Sequence, residues 1–322
     1  MTGTYTSRSV LRHILAAAFL VIGIAASGCS RTERSKPDIT IDDTMVFTES
    51  MTSLADGTVF MGSVKGIVFR ALPGESHAKP WIMPTPENGL TTMLGVLADE
   101  ASGTLWLCNQ PGAFSGQPAS EPASVIAFDL TTGERRGVYP LPPPASVCND
   151  ITIAKDGTAF VSDTRNGRIF TLAPGATELT FFDQDDALVG IDGVVFGGNG
   201  TLYANNVTKN TLLRIDIEAD GSAGAITELE LSEPISGPDG FRLIGGNRFV
   251  LAENMAGRLD EVMISGDKAD IKVLKDGLNG PAAATATGGT AYVIEGKIGY
   301  LFDPKLKGQD PGPFKAHAVP LE

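Results

Sequence analysis

Four side chains of this 322-residue chain have the chemistry to hold one hard cation: Glu49, Asn149, Asp192 and Asp239. They stand in the local sequences ESMTS, CNDIT, IDGVV and PDGFR. Carboxylate and amide oxygens suit a calcium-type ion. Three carboxylates packed together without a cation would repel one another and lose hydration. Asp and Asn also occur in turns for purely local reasons. What favours a metal site over turn chemistry is register, which depends on the elements that carry the four residues.

Those elements repeat. A Gly-containing turn followed by alternating apolar positions appears as DGTVFMGS from Asp56, SGTLWLCN from Ser102, DGTAFVSD from Asp156, NGTLYANN from Asn199, GNRFVLAEN from Gly246 and GGTAYVIEG from Gly288. Period-2 alternation after a tight turn marks a strand with one buried face. A second strand follows each copy (KGIVFRAL, SVIAFDL, GRIFTLA, NTLLRIDI, GRLDEVMI and KIGYLFD). A third is visible in RRGVYPL, ELTFFD, ITELEL and DIKVLKD, and an apolar stretch precedes every turn. Each unit is therefore a four-stranded antiparallel meander. The units start at Glu49, Leu94, Asn149, Asp192, Asp239 and Pro281, spaced by 45, 55, 43, 47 and 42 residues. This predicts an all-β fold, a six-bladed β-propeller, closed into a ring so that no sheet edge is left free. Residues opening the innermost strands converge at one mouth of the axial channel. Glu49, Asn149, Asp192 and Asp239 then face one point, with Leu94 and Pro281 at the other two positions.

On these motifs, over roughly residues 45 to 303, the chain resembles the senescence-marker-protein, gluconolactonase and luciferin-regenerating-enzyme family, the regucalcin-like propellers. The resemblance implies that one divalent cation is held by Glu49, by the Asn149 of Asn149-Asp150, by the Asp192 of Asp192-Gly193 and by the Asp239 of Pro238-Asp239-Gly240. Calcium is the expected ion, with zinc, magnesium or manganese as alternatives. It further implies hydrolysis of a lactone or related ester, with the cation polarising the carbonyl. Asp239 takes the role of general base by the same resemblance. The sequence departs from the family at Val147, where sugar-lactonase members carry an arginine that holds the substrate; a more apolar lactone or ester fits better. The rival reading is a non-catalytic binding or scaffold propeller of the cell envelope, with a structural calcium ion.

Other chemistry finds little support. His77 and His317 sit in a loop and near the C-terminus, and no G-x-S-x-G, H-E-x-x-H or P-loop pattern is present. Cys108 and Cys148 fall near the same mouth; they are either a disulfide or two small buried residues of separate blades. Asn109, Asp163, Asn206, Asn254 and Glu295, at the ends of the second strands, are either a second shell around the cavity or polar turn residues. Trp81 and Trp106 read as blade packing.

The N-terminus supplies an address. Arg8, Arg12 and His13 precede an apolar run over residues 14–26, which ends in Ala26-Ser27-Gly28-Cys29. This has the form of a lipoprotein signal peptide over residues 1–28, with Cys29 lipidated, a flexible tether over 29–38 and the propeller over 39–322. Ser30 after the cysteine is compatible with the periplasmic face of the outer membrane. Beyond residue 28 the chain has 23 basic against 38 acidic residues, which argues against a nucleic-acid partner. The partners expected are a small-molecule lactone or ester and, through the lipid, a membrane; the chain is expected to be a monomer. With 38 Gly and 20 Pro, turn-rich β structure is favoured over helix.

Overall fold

The structure is a computed structural model that describes residues 1–5, 36–113 and 121–322. The expected lipidation site Cys29 and most of the expected signal and tether lie outside the described residues. The propeller falls within the unit Ser35–Glu322.

Each turn-and-alternation phrase of the sequence becomes a hairpin between the first and second strands of one blade. Blade one runs Thr48–Ser53, Val59–Ser63, Val68–Ala71 and Lys79–Ile82. Blade two runs Met93–Asp99, Thr104–Asn109, Ser124–Asp129 and Arg135–Pro140. Blade three is Cys148–Ile153, Ala159–Asp163, Arg168–Leu172 and Thr180–Gln184; blade four is Ile191–Phe196, Leu202–Asn206, Thr211–Ile217 and Ala223–Glu228. In blade five Pro238–Gly245, Arg248–Glu253, Arg258–Ser265 and Lys268–Lys275 form the meander. Blade six combines Pro281–Thr287, Thr290–Glu295 and Phe314–Pro320 with Ile39–Ile41 as its outermost strand. The segment after Asp38 and the segment near the C-terminus thus share one sheet, and their antiparallel pairing (Ile39 with Ala316, Ile41 with Phe314) closes the ring.

Among the described residues, six apolar clusters hold the ring together, one between each pair of neighbouring blades. Between blades two and three, Cys108 and Val125 meet Cys148, Ile151 and Phe170; between four and five, Tyr203 and Leu212 meet Phe241, Phe249 and Val262. The first and sixth blades join around Phe47, Met51 and Phe314, with the two Phe rings edge-on at 5.4 Å. Burial therefore accumulates across blade faces rather than at one centre, which leaves the axis free for polar groups. Trp81 and Trp106 contribute to this packing. Trp81 lies 5.1 Å from the Phe60 ring with the Arg70 guanidinium over its face, and Trp106 lies 6.2 Å from Tyr139.

Two expected strands are corrected. KIGYLFD was read as the second strand of the sixth unit; the chain instead makes a short helix, Gly299–Phe302, and the strand beside Thr290–Glu295 is Phe314–Pro320. ITELEL was read as one strand of the fourth unit. It divides at Leu229: Ala223–Glu228 completes blade four, and Glu230–Leu231 pairs parallel with Lys268–Lys275 as a fifth strand of blade five.

Candidate metal centre

Every innermost strand loses its pairing register at its first residues. The irregularities fall between Thr48 and Ser50, Met93 and Val96, Cys148 and Ile151, Ile191 and Val194, Pro238 and Phe241, and Pro281 and Ala283. A β-bulge re-aims the side chain it carries. Glu49, Asn149, Asp192 and Asp239 each sit inside one of these bulges. In blades two, four and five a glycine (Gly95, Gly193 and Gly240) follows the residue that opens the unit, and the neighbouring blade approaches it closely. A Cβ on Gly240 would lie 2.6 Å from Ala283 Cα, and one on Gly95 would lie 2.3 Å from the Asn149 carbonyl oxygen.

The bulges bring the four expected residues to one cavity of about 10 Å³, enough for a single small occupant. Glu49, Asn149, Asp150, Asp192, Asp239 and Arg242 supply its polar wall. Blades two and six contribute the small residues Gly95 and Ala282 instead of donors. Asn149 and Asp192 are buried, while Glu49 and Asp239 keep a partial opening to solvent. The Asn149 amide Nδ2 donates to Asp192 Oδ2 at 2.9 Å and to Thr164 Oγ1 at 2.9 Å, which leaves its carbonyl oxygen free for another partner. Among the described residues, no three His, Cys, Asp or Glu side chains are gathered tightly enough to hold an ion as they stand.

The electrostatics are those of a charge-deficient site. Burial, followed by the charges of Asp192 and Asp150, pushes the Glu49 carboxyl well above the usual range; Arg242 opposes this. Burial and Asp150 raise Asp192 to about 7 against the Asn149 hydrogen bond. Burial, Asp192 and Glu49 raise Asp239, with the Asn254 amide acting the other way. The one cation at the cavity, Arg242, is already engaged: its two terminal nitrogens grip both Asp150 oxygens at 2.6 and 2.7 Å. Glu49, Asp192 and Asp239 thus have no ion-pair partner of their own, and carboxylate and amide oxygens are the donor types that a divalent, calcium-type ion prefers.

Neighbouring blades fix the bulges from outside. Ser162 Oγ donates to the Asp192 carbonyl at 2.8 Å and accepts from the Asp150 amide at 2.9 Å. Asn205 Nδ2 donates to the carbonyls of Pro238 and Asp239 at 2.7 and 2.9 Å. Sequence reasoning missed both, although each directly precedes a polar residue it did single out. Of that set, only Asn254 reaches a candidate ligand, with Nδ2 3.4 Å from Asp239 Oδ2. The others tie down the loop entering their own blade. Asn109 binds Thr91 and Gly89, Asp163 accepts from the Val147 amide, Asn206 donates to Ala187 and Val189, and Glu295 accepts from Asn279. In blade five this loop-tying position belongs to Glu253, which accepts from Ser236, so Asn109, Asp163, Asn206 and Glu295 act as a turn device and Asn254 alone of the set touches a candidate ligand.

His77 is exposed beside Asp42, and His317 lies 3.6 Å from both Asp38 and Glu295; neither lines the cavity. Cys108 and Cys148 are joined as a disulfide, with Cα atoms 5.3 Å apart, immediately before Asn149. Closing a loop across 40 residues gives about 4 kcal/mol on the chain-entropy model. Reduction is accordingly expected to lower the chemical-denaturation free energy by a few kcal/mol. Thiol titration of the denatured, unreduced protein should find neither cysteine; two reactive thiols from this pair would contradict the bridge.

No family model matches the chain, and no curated protein matches it. Solved structures do. A protein assigned as a gluconolactonase is similar at 16% identity with a TM-score of 0.61, covering 90% of this chain and 93% of that one. A luciferin-regenerating enzyme is similar at 10% identity and a TM-score of 0.61, covering 85% and 91%. Virginiamycin B lyase from Staphylococcus aureus gives 17% identity and a TM-score of 0.57 over 87% and 82%. At such identities the likeness establishes the fold alone, a β-propeller. The lyase is named for a different chemistry, so this architecture does not by itself choose a reaction.

Proposed function

We propose that this chain is a metal-dependent hydrolase of a lactone or related ester, with one divalent cation, calcium first, held by Glu49, Asn149, Asp192 and Asp239. The observation that carries the reading is the convergence of three mutually repelling carboxylates and one amide, from four different blades, on a cavity the size of one small occupant. Bound there, the cation would polarise the ester carbonyl and stabilise the developing oxyanion.

The chain's own groups do the rest. Asp239 accepts a proton from the attacking water as its oxygen bonds to the carbonyl carbon. The acyl–oxygen bond then breaks, and the same proton is returned to the departing alkoxide, leaving a hydroxy acid when the ester is a ring. Asn254 orients the Asp239 carboxylate, and Asn205 fixes its backbone. Val147, whose amide is held by Asp163, stands two residues before Asn149, where the resemblance to sugar lactonases calls for a substrate-holding arginine, so an apolar lactone or ester is the substrate class this reading favours. In this reading the chain is an exported lipoprotein anchored at Cys29, a monomer acting on small molecules in a calcium-accessible compartment.

The test is a panel of γ- and δ-lactones and aryl esters, assayed before chelation, after it, and after return of calcium. Hydrolysis that is lost with the ion and restored by it is the expected result. Hydrolysis indifferent to chelation would overturn the reading. No turnover across the panel, with stability still dependent on calcium, would favour the binding propeller, to which Val147 also points.

A further inference from the structure

Arg242 leaves the innermost strand of blade five and crosses the axis. Its fork closes on Asp150 of blade three at 2.6 and 2.7 Å, and its Nη2 also donates to the Val96 carbonyl of blade two at 3.3 Å. Asp150 Oδ2 in turn accepts from the Val194 amide of blade four at 3.1 Å. The pair therefore spans the bulges of four blades, three of which carry Asn149, Asp192 and Asp239. Both side chains are largely withdrawn from solvent. Arg242 is also the residue shared by the ion-sized cavity and by a second cavity of about 450 Å³ further along the axis, lined by Thr52, Ala98, Asp99, Lys155 and Thr285.

We infer that Arg242 and Asp150 are positioning residues, a crossbar that locks the bulges of blades two to five in register and closes the axis beneath the candidate ligands. A planar guanidinium suits this task, because its donors reach a carboxylate and a carbonyl at once in fixed geometry. A buried pair loses most when one partner is removed, since the other is left charged and unmatched. The consequence for calcium rests on the proposed metal site; the consequence for the bulges does not.

Two effects of Arg242 on a neighbouring cation site have opposite signs. As a mere positive charge it opposes a cation, so Arg242→Met would tighten calcium binding and Arg242→Lys would leave it unchanged. As a crossbar it holds the ligands in place, so both substitutions weaken binding. The experiment uses the chelator-treated full chain and its Arg242→Lys and Arg242→Met variants. Amide exchange is read over residues 94–96, 149–151 and 192–194, and calcium titration follows. The expected result is exchange at least tenfold faster in those segments in both variants, with the outer strands unchanged, and a calcium Kd raised at least tenfold. Parent-like exchange in the bulges overturns the inference whether or not the chain binds calcium. Calcium bound tighter by Arg242→Met overturns it in favour of a simple charge. If the parent binds no calcium while exchange still responds, the crossbar stands and the metal reading fails. Asp150→Asn, which retains an oxygen for Val194 but not the ionic fork, should give an intermediate exchange rate; should Arg242→Met not fold, Arg242→Lys and Asp150→Asn carry the test.

Discussion

Replacing Asp239 with Asn is expected to lower kcat/KM for the lactone or ester by about 10²–10⁴ at saturating calcium, the range lost with a general base. The same substitution should make the chelated protein more stable. Asp239 faces Asp192 and Glu49, and its charge is unfavourable there until a cation compensates it. An amide of the same shape removes that repulsion, a trade of stability for activity common at functional sites. Rate measurement together with thermal unfolding in chelator checks both halves. A variant with the parent's rate would remove Asp239 from the chemistry. A variant less stable than the parent in chelator would mean that the carboxylates are not mutually repelled. Glu49→Gln, which removes a ligand and not the base, should raise the calcium requirement more than it lowers the rate at saturation.

The second large effect is in pH. In the metal-free fold Asp192 titrates at about 7, against 3.8 for an unperturbed Asp. Between those values the folded chain retains a proton that the unfolded chain has released. Stability must therefore fall as pH rises through that window, and the loss is complete above it. Calcium needs the deprotonated form, so its stabilising effect grows over the same range. At about 100 times Kd it amounts to about 2.7 kcal/mol, which raises Tm on the order of 5 °C or more in a domain of this size. Asp260, raised to about 9 by burial and its contact with Glu253, adds a fall of the same sign that calcium does not reverse. Thermal scans at pH 5 and pH 8, with chelator and with calcium, should thus show a calcium gain that is large at pH 8 and small at pH 5. An equal gain at both would contradict the assignment of the ion to these carboxylates.

The propeller and its candidate ligands were legible because both repeat. A Gly turn and an alternating strand recur in all six units, four of which carry an oxygen donor at one register position, and chemistry at a fixed register position stands out against scattered turn residues. Arg242 was not legible. Three residues after Asp239 on an alternating strand, it reads as a surface position. The bulge between Pro238 and Phe241 shifts that alternation and sends the side chain across the axis. Ser162 and Asn205 were hidden for a related reason, since their partners are backbone carbonyls of the next blade, which no local pattern reports. KIGYLFD failed as a strand because alternation over so few residues fits a single helical turn equally well, and the chain makes a detour before Phe314 supplies the pairing edge. The polar residues ending the second strands were visible in type but their two possible roles could not be separated, because loop entry and cavity rim lie at the same end of each blade.

Calorimetric titration of calcium into the chelator-treated chain, with Asp192→Asn alongside it, is the most direct measurement of what the axis is for. One ion per chain for the parent, with affinity reduced at least tenfold by the substitution, is the expected result. No heat of binding in the parent, or a stoichiometric site untouched by Asp192→Asn, would contradict a cation held by Glu49, Asn149, Asp192 and Asp239.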